Sequence, residues 1–173
     1  IFPVREKNIP LNIRNTNEPD HPGTLITESF VEAPNPERFV TGIAGKCDFS
    51  IVTVSKKGLS GAVGTLRAIL EVFENNSIPV AHTPSGIDCI SLAMPTEALT
   101  PNQYSLLDEL RSEIRPDSIQ INDHIAVIAV VGRKMAFRVG TSGKIFAALG
   151  KAGINIRMIS QGPDEQAIIL GVD

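Results

Sequence analysis

A slide of 76 residues lays 51–94 on 127–170 without a gap, and this internal repeat constrains the fold more than any other feature. Ile51-Val52-Thr53-Val54 falls on Val127-Ile128-Ala129-Val130, and Val63-Gly64-Thr65 on the identical Val139-Gly140-Thr141. Ile69, Ile78, Gly86 and Asp88 fall on Ile145, Ile154, Gly162 and Asp164. Coincident strand, glycine turn, helix and second strand argue for two copies of one unit. With 42% hydrophobic residues in a chain of 173, there is enough apolar surface for one compact domain or two small ones.

In the first copy Leu66, Ile69, Leu70 and Phe73 have the i, i+3, i+4, i+7 spacing of a helix with one buried face. Asn75-Asn76-Ser77 ends it. Ile78-Pro79-Val80 is expected to open a second strand, Pro84-Ser85-Gly86 to turn the chain, and Cys89 to Met94 to form a third. Thr100 is expected to cap a second helix, with Pro101 at its first position and Leu106, Leu107, Leu110 and Ile114 on one face, stopped by Arg115-Pro116. Ser118 to Ile121 is a fourth strand. The order is βαββαβ, an α+β ferredoxin-like unit with an antiparallel sheet and both helices on one face. The second copy supplies a strand (125–131), a helix (141–152) and two strands (155–160, 166–172), and it lacks the last helix and strand. A short strand at 39–44 is a candidate to complete that second sheet, and the sequence leaves this open. Upstream, alternation at Ile9, Leu11 and Ile13 fits a half-buried strand, while Pro34 and Pro36 make 28–37 a linker.

A net charge of −3 offers no basic face for a phosphate backbone, so nucleic acid is not an expected partner. No apolar run approaches the roughly 20 residues that cross a bilayer, and no signal pattern opens the chain, so no membrane is expected and the location is read as cytoplasmic. The chain opens on Ile1 and its first methionine is Met94, which reads as a piece of a longer protein. Cys47 and Cys89 read as packed or bystander thiols, and His21 and His124 lack metal-ligand spacing. Gly140-Thr141-Ser142-Gly143-Lys144 misses the spacing of a phosphate loop and has Ile145 where a magnesium-binding hydroxyl belongs. Lys56, Lys57, Arg133 and Lys134 follow the first strand of each copy and read as a solvated face. An RNA-binding module shares the βαββαβ order but needs exposed aromatics on its central strands, where only Phe49 lies near.

Ile9-Pro10-Leu11-Asn12-Ile13-Arg14-Asn15-Thr16-Asn17 with Pro22-Gly23-Thr24-Leu25-Ile26, then Thr41-Gly42-Ile43-Ala44, the two βαββ units, and Ala152-Gly153-Ile154-Asn155-Ile156-Arg157-Met158-Ile159-Ser160-Gln161-Gly162 resemble the aspartate kinases. His82-Thr83-Pro84-Ser85-Gly86-Ile87-Asp88 resembles their monofunctional branch rather than the kinase fused to homoserine dehydrogenase. The resemblance implies the end of a kinase domain at 1–27, a linker at 28–38, a first ACT unit at 39–124 and a truncated second at 125–173. It also implies transfer of the ATP γ-phosphoryl group to aspartate, the first step towards lysine, threonine and methionine. ATP and magnesium would serve the full-length enzyme. No cofactor and no catalytic residue are assigned to this fragment. A stand-alone amino-acid-binding regulator is the alternative, against which the kinase-like residues 9–26 argue.

Glycines in Gly58-Leu59-Ser60-Gly61-Ala62-Val63-Gly64 permit close backbone approach, and unpaired N–H groups at a helix start suit a carboxylate. The α-carboxylate of an effector is therefore assigned to the N–H groups near Gly64, Thr65 and Leu66. Its ammonium is assigned to Ser85 and nearby carbonyls, with Ala81 and His82 in the same segment, and its side chain to a pocket of Leu59, Ala62 and Val80. Many lysine-sensing relatives carry an acidic residue at Ala81. Lysine is the favoured effector, with threonine or methionine as alternatives. The resemblance further implies a homodimer through side-by-side ACT units, coupled to the enzyme's own kinase domain, with the second unit left unliganded.

Overall fold

The computed structural model describes residues 2–27, 40–132, 135, 138–162 and 167–173. The chain divides into two compact units, Ile1–Arg38 and Phe39–Asp173. The linker read at 28–38 lies outside the described residues, as do Arg133 and Lys134.

In the first unit a helical turn α1 (Phe2–Arg5) precedes an antiparallel ribbon of β1 (Leu11–Ile13) and β2 (Thr24–Ile26), in which Leu11 faces Ile26. Its turn is tied by side chains rather than by apolar burial. Arg14 gives both Nε–H and Nη2–H to the His21 carbonyl, and Asn12 Nδ2 donates to the Pro22 carbonyl. The strand is shorter than the alternation suggests: Ile9, 51% exposed, lies before it, and within it Leu11 is half-buried while Ile13 is 52% exposed.

The second unit is built on one antiparallel sheet in the order β4-β3-β5-β7-β6. Its centre is two long strands, β3 (Val40–Ser55) and β5 (Ser118–Gly132), paired along most of their length. Both bend midway, at Asp48 (φ 64°) and His124 (φ 61°), and the ladder breaks register beside Asp48. The two bends are 76 residues apart. The same spacing relates Gly64 (φ 86°) to Gly140 (φ 82°) and Ser77 (φ 55°) to Gly153 (φ 71°). Left-handed conformation is disfavoured for residues bearing a Cβ, so its recurrence at one spacing is backbone evidence for the repeat.

Around the first half of this sheet lie α2 (Thr65–Asn75), β4 (Cys89–Pro95), α3 (Thr96–Leu99) and α4 (Gln103–Glu109), the last ending in a π-type turn Leu110–Ile114. Alternate strand residues Val52, Val54, Ile90 and Leu92 meet Ile69, Phe73, Leu106 and Leu110 of the helices in one core. The second half has α5 (Thr141–Lys151), β6 (Ile156–Ser160) and β7 (Ala167–Val172), with Ile168, Leu170 and Val172 packing on Ile145, Phe146 and Leu149. The remaining strand residues Phe49, Ile51, Ala93, Ile125 and Met158 form a third cluster on the helix-free faces, where the two halves meet back to back. Val40 to Lys46 pairs with Val127 to Gly132, so the strand candidate at 39–44 lies against the first strand of the second copy.

Three expectations are corrected. Ile78-Pro79-Val80 forms no ladder; the second strand is reduced to isolated bridges at His82↔Ala93 and Ser85↔Ile90, because Pro79 and Pro84 have no N–H to donate. Thr100 does not cap the second helix: helical structure begins at Thr96, and Thr100 Oγ1 donates back to the Thr96 carbonyl at 2.9 Å. The ungapped repeat also slips. His82 and Met158 are 76 apart, but their partners Ala93 and Gly171 are 78 apart, so two residues are added between the second and third strands of the later copy.

Gly171 sits on the back-to-back seam, where a Cβ would lie 3.1 Å from Met158 Cβ and 3.3 Å from Ile125 Cγ2. Both neighbours are buried, so the shift that an added Cβ requires disturbs packed side chains. Gly171→Ala is expected to lower stability by about 1 kcal/mol. Gly143→Ala, in α5 with open space around the added Cβ, is expected to raise it by about 0.5–1 kcal/mol. Urea midpoints that moved in the same direction for both would contradict the seam.

Candidate functional site

The loop after β3 is held from outside. Gly58 (φ 76°) donates its N–H to Asp88 Oδ1 at 2.7 Å, Lys56 N–H reaches the Asp88 carbonyl at 2.8 Å, and Lys57 N–H reaches Asp117 Oδ2 at 2.7 Å. Ser60 N–H meets the Ile87 carbonyl at 3.1 Å. The half-buried Lys56 also sends Nζ to the Ile114 carbonyl, meeting the negative end of the π-type turn that closes α4, so it is not merely a solvated charge. Two carboxylates and the 87–88 backbone thus fix where the following turn begins.

That turn is a short 3-10 segment Leu59–Gly61, extended Ala62, and then Gly64 as the left-handed residue before α2. The Thr65 N–H makes only a 3.4 Å contact with the Ala62 carbonyl. Among the described residues no acceptor meets the N–H of Gly64, Leu66 or Arg67. Gly64 and Leu66 are exposed, so three donors and the positive end of the helix dipole face outward together. No acidic residue lies in the first turn of α2 to occupy them.

The start of α5 repeats this backbone, with Thr141 N–H 3.4 Å from the Arg138 carbonyl, and differs in its side chain. Thr141 is buried, at 4% exposure, and turns its Oγ1 to the Arg138 carbonyl at 2.9 Å. Thr65 is only half-buried and makes no such bond among the described residues.

The other predicted site residues fall into separate places. Leu59 is buried, at 5%, and joins the helix-covered core, against which Val80 packs, so the loop and the 78–82 segment converge on that core. The Leu59 side chain faces the interior rather than the outer surface of the loop. Ala62 is exposed. Ala81 and His82 donate their N–H groups to the Ala93 carbonyl at 2.8 and 3.5 Å, and the His82 carbonyl accepts from Ala93 N–H at 2.9 Å. The Val80 and Ala81 carbonyls have no donor among the described residues. Ser85 is exposed and lines a cavity on the helix-free face of the sheet that includes no residue of 59–66.

The ACT domain family model matches residues 128–173. Aspartokinase 3 of Bacillus subtilis is 30% identical over 173 residues, covering 99% of this chain. The aspartate kinase of Clostridium acetobutylicum superposes over the whole chain with a TM-score of 0.91 and 40% identity. The chain belongs to the aspartate kinase family. Aspartokinase alpha and beta subunits provide a further match, with a TM-score of 0.65 and 28% identity, over 78% of this chain and 88% of theirs. The chain spans 37% of the Bacillus aspartokinase and 40% of the Clostridium kinase. Aspartate kinase architecture accordingly accounts for the paired ferredoxin-like ACT units and for the regulatory character of this region. The loop-holding roles of Asp88 and Asp117 were not apparent in the sequence. Asp88 lies 30 positions from its partner Gly58, and only an aspartate beside a turn glycine hints at such a bond.

Proposed function

We propose that this chain is the regulatory part of an aspartate kinase and that it binds an end-product amino acid at the start of α2. The reading of the full-length protein is transfer of the ATP γ-phosphoryl group to aspartate, inhibited by that amino acid. The observation that carries the site is the outward set of unshared N–H groups at Gly64, Leu66 and Arg67 beside a left-handed glycine. The Val80 and Ala81 carbonyls, which meet no donor among the described residues, supply acceptors for an ammonium. The Clostridium relative is described as an allosteric enzyme.

Several finer readings accompany this one. Residues 39–124 are read as the first unit and 125–173 as the second, with Val40 to Lys46 lent to the latter. The monofunctional branch is favoured by His82-Thr83-Pro84-Ser85. Lysine is favoured over threonine and methionine, the setting is cytoplasmic, and two chains pair through their ACT units. No helix among the described residues is long and apolar enough to cross a membrane. Allostery requires that the effector bind the two states of the kinase unequally.

Lysine, threonine and methionine are each to be titrated while the melting of the chain is followed. At about 100 times its dissociation constant the true effector adds roughly 2.7 kcal/mol, which raises the midpoint by about 5–10 °C. An unchanged midpoint with all three removes the sensor reading.

A further inference from the structure

On the helix-free face of the first half, cross-strand registry sets Ser91, Thr53 and Gln120 in one row, with Asn122 beside Ile51 in the next. Ile51 and Ala93 are sealed by Met158 in the seam cluster. One row further the surface becomes polar, and a cavity of about 420 Å³ opens between this floor, the Ser85-Gly86 turn and β6. Thr53 Oγ1 and Ser91 Oγ lie 2.9 Å apart and fix one another.

This polarity is particular to the first copy. In the second half the same three-strand row is Ile169, Ala129 and Ala44, with no side-chain donor or acceptor. Gln120 and Asn122 are exposed and Thr53 and Ser91 half-buried, so the polar groups of this floor are accessible to a small molecule.

Arg157 of β6 is the one charged residue among the described residues that line the cavity. Its Nε–H goes to Asp173 Oδ1 at 2.6 Å, while Asn155 Nδ2 holds Asp173 Oδ2 at 3.1 Å. The Arg157 hydrogen bond, seconded by that of Asn155, keeps the Asp173 carboxyl below its usual range. The guanidinium is thereby positioned, and its terminal amino groups have no acceptor among the described residues.

We propose that this cavity is a second small-molecule site, taking a small carboxylate that also bears hydroxyl or carboxamide groups. Arg157 pairs with the carboxylate, and Thr53, Ser91, Gln120 and Asn122 bind the polar remainder. The volume lies at the small end of ligand pockets, and no aromatic ring among the described lining residues offers a stacking surface for a base. The proposal does not depend on the loop at Gly64.

L-Asparagine, L-threonine and L-malate serve as probes in amide-resolved NMR titrations of the chain. The expected result is saturable shifts centred on Gln120, Asn122 and Arg157 with at least one probe, at millimolar or tighter affinity. Arg157→Gln and Gln120→Leu, both on exposed positions, should each weaken that binding about tenfold or more while the rest of the spectrum keeps its dispersion. Absence of saturable shifts up to about 10 mM, ten times a millimolar constant, overturns the proposal. So do shifts confined to Gly64 and Leu66, or binding that survives both substitutions.

Discussion

Phe73→Ala is expected to lower the stability of the Phe39–Asp173 unit by about 3–5 kcal/mol, through lost apolar transfer and the cavity left behind. Phe73 is 1% exposed and lies where α2 meets the sheet, surrounded by Ile69, Leu92, Leu106 and Leu110, each at 0%. Those neighbours belong to three different elements tied down by their own pairing, so they have little freedom to collapse into the space. Native domains hold only about 5–15 kcal/mol, which makes this loss a third or more of the total. The melting midpoint should fall by about 10 °C or more. Ile87→Ala, at a position 79% exposed, removes a similar apolar side chain and should move stability by less than about 0.5 kcal/mol. Urea unfolding followed by far-ultraviolet circular dichroism separates the two. A Phe73→Ala cost under about 1.5 kcal/mol would mean that the α2 face packs less tightly than described.

The features readable in advance were those written in periodicity. Leu66, Ile69, Leu70 and Phe73 mark a helix face at 3.6-residue spacing, and α2 is found there. The repeat was legible because strand, turn and helix recur together. What stayed hidden depends on contacts distant in sequence or on backbone states that no residue type signals. Asp48 and His124 bend the central strands in a left-handed conformation more typical of glycine, so neither bend is visible in composition. Ile78 looks like the start of a strand, yet its burial at 4% serves the core, and the prolines on either side of 80–83 reduce pairing to two bridges. The candidate site divided the same way. Gly64 was legible because only a glycine tolerates φ 86° at little cost, whereas an apolar loop residue such as Leu59 reads equally well as pocket lining or as core. Arg157 and Asp173 are 16 positions apart and meet only once β6 and β7 are assembled.

Gly64→Ala and Gly140→Ala together form the sharper test of the effector site. Each glycine precedes a helix at nearly the same φ, 86° and 82°, and a Cβ at either would meet nothing within 4 Å. The intrinsic cost is therefore backbone strain alone, about 1–2 kcal/mol in each case. Relief of that strain re-aims the peptide groups on either side of the substituted residue. At Gly64 these are the donors assigned to the effector's carboxylate, while at Gly140 the backbone is alike but the second unit is read as unliganded, its Thr141 hydroxyl turned to the Arg138 carbonyl. The two variants should lose similar stability without ligand and diverge with it. Gly140→Ala keeps the roughly 2.7 kcal/mol that a saturating effector contributes at about 100 times its dissociation constant, and Gly64→Ala loses most of it. Calorimetric titration of both variants with the amino acid that stabilises the parent chain measures the difference directly. Equal loss of binding in the two would show that the copies act as one site, and full retention in Gly64→Ala would move the carboxylate away from the start of α2.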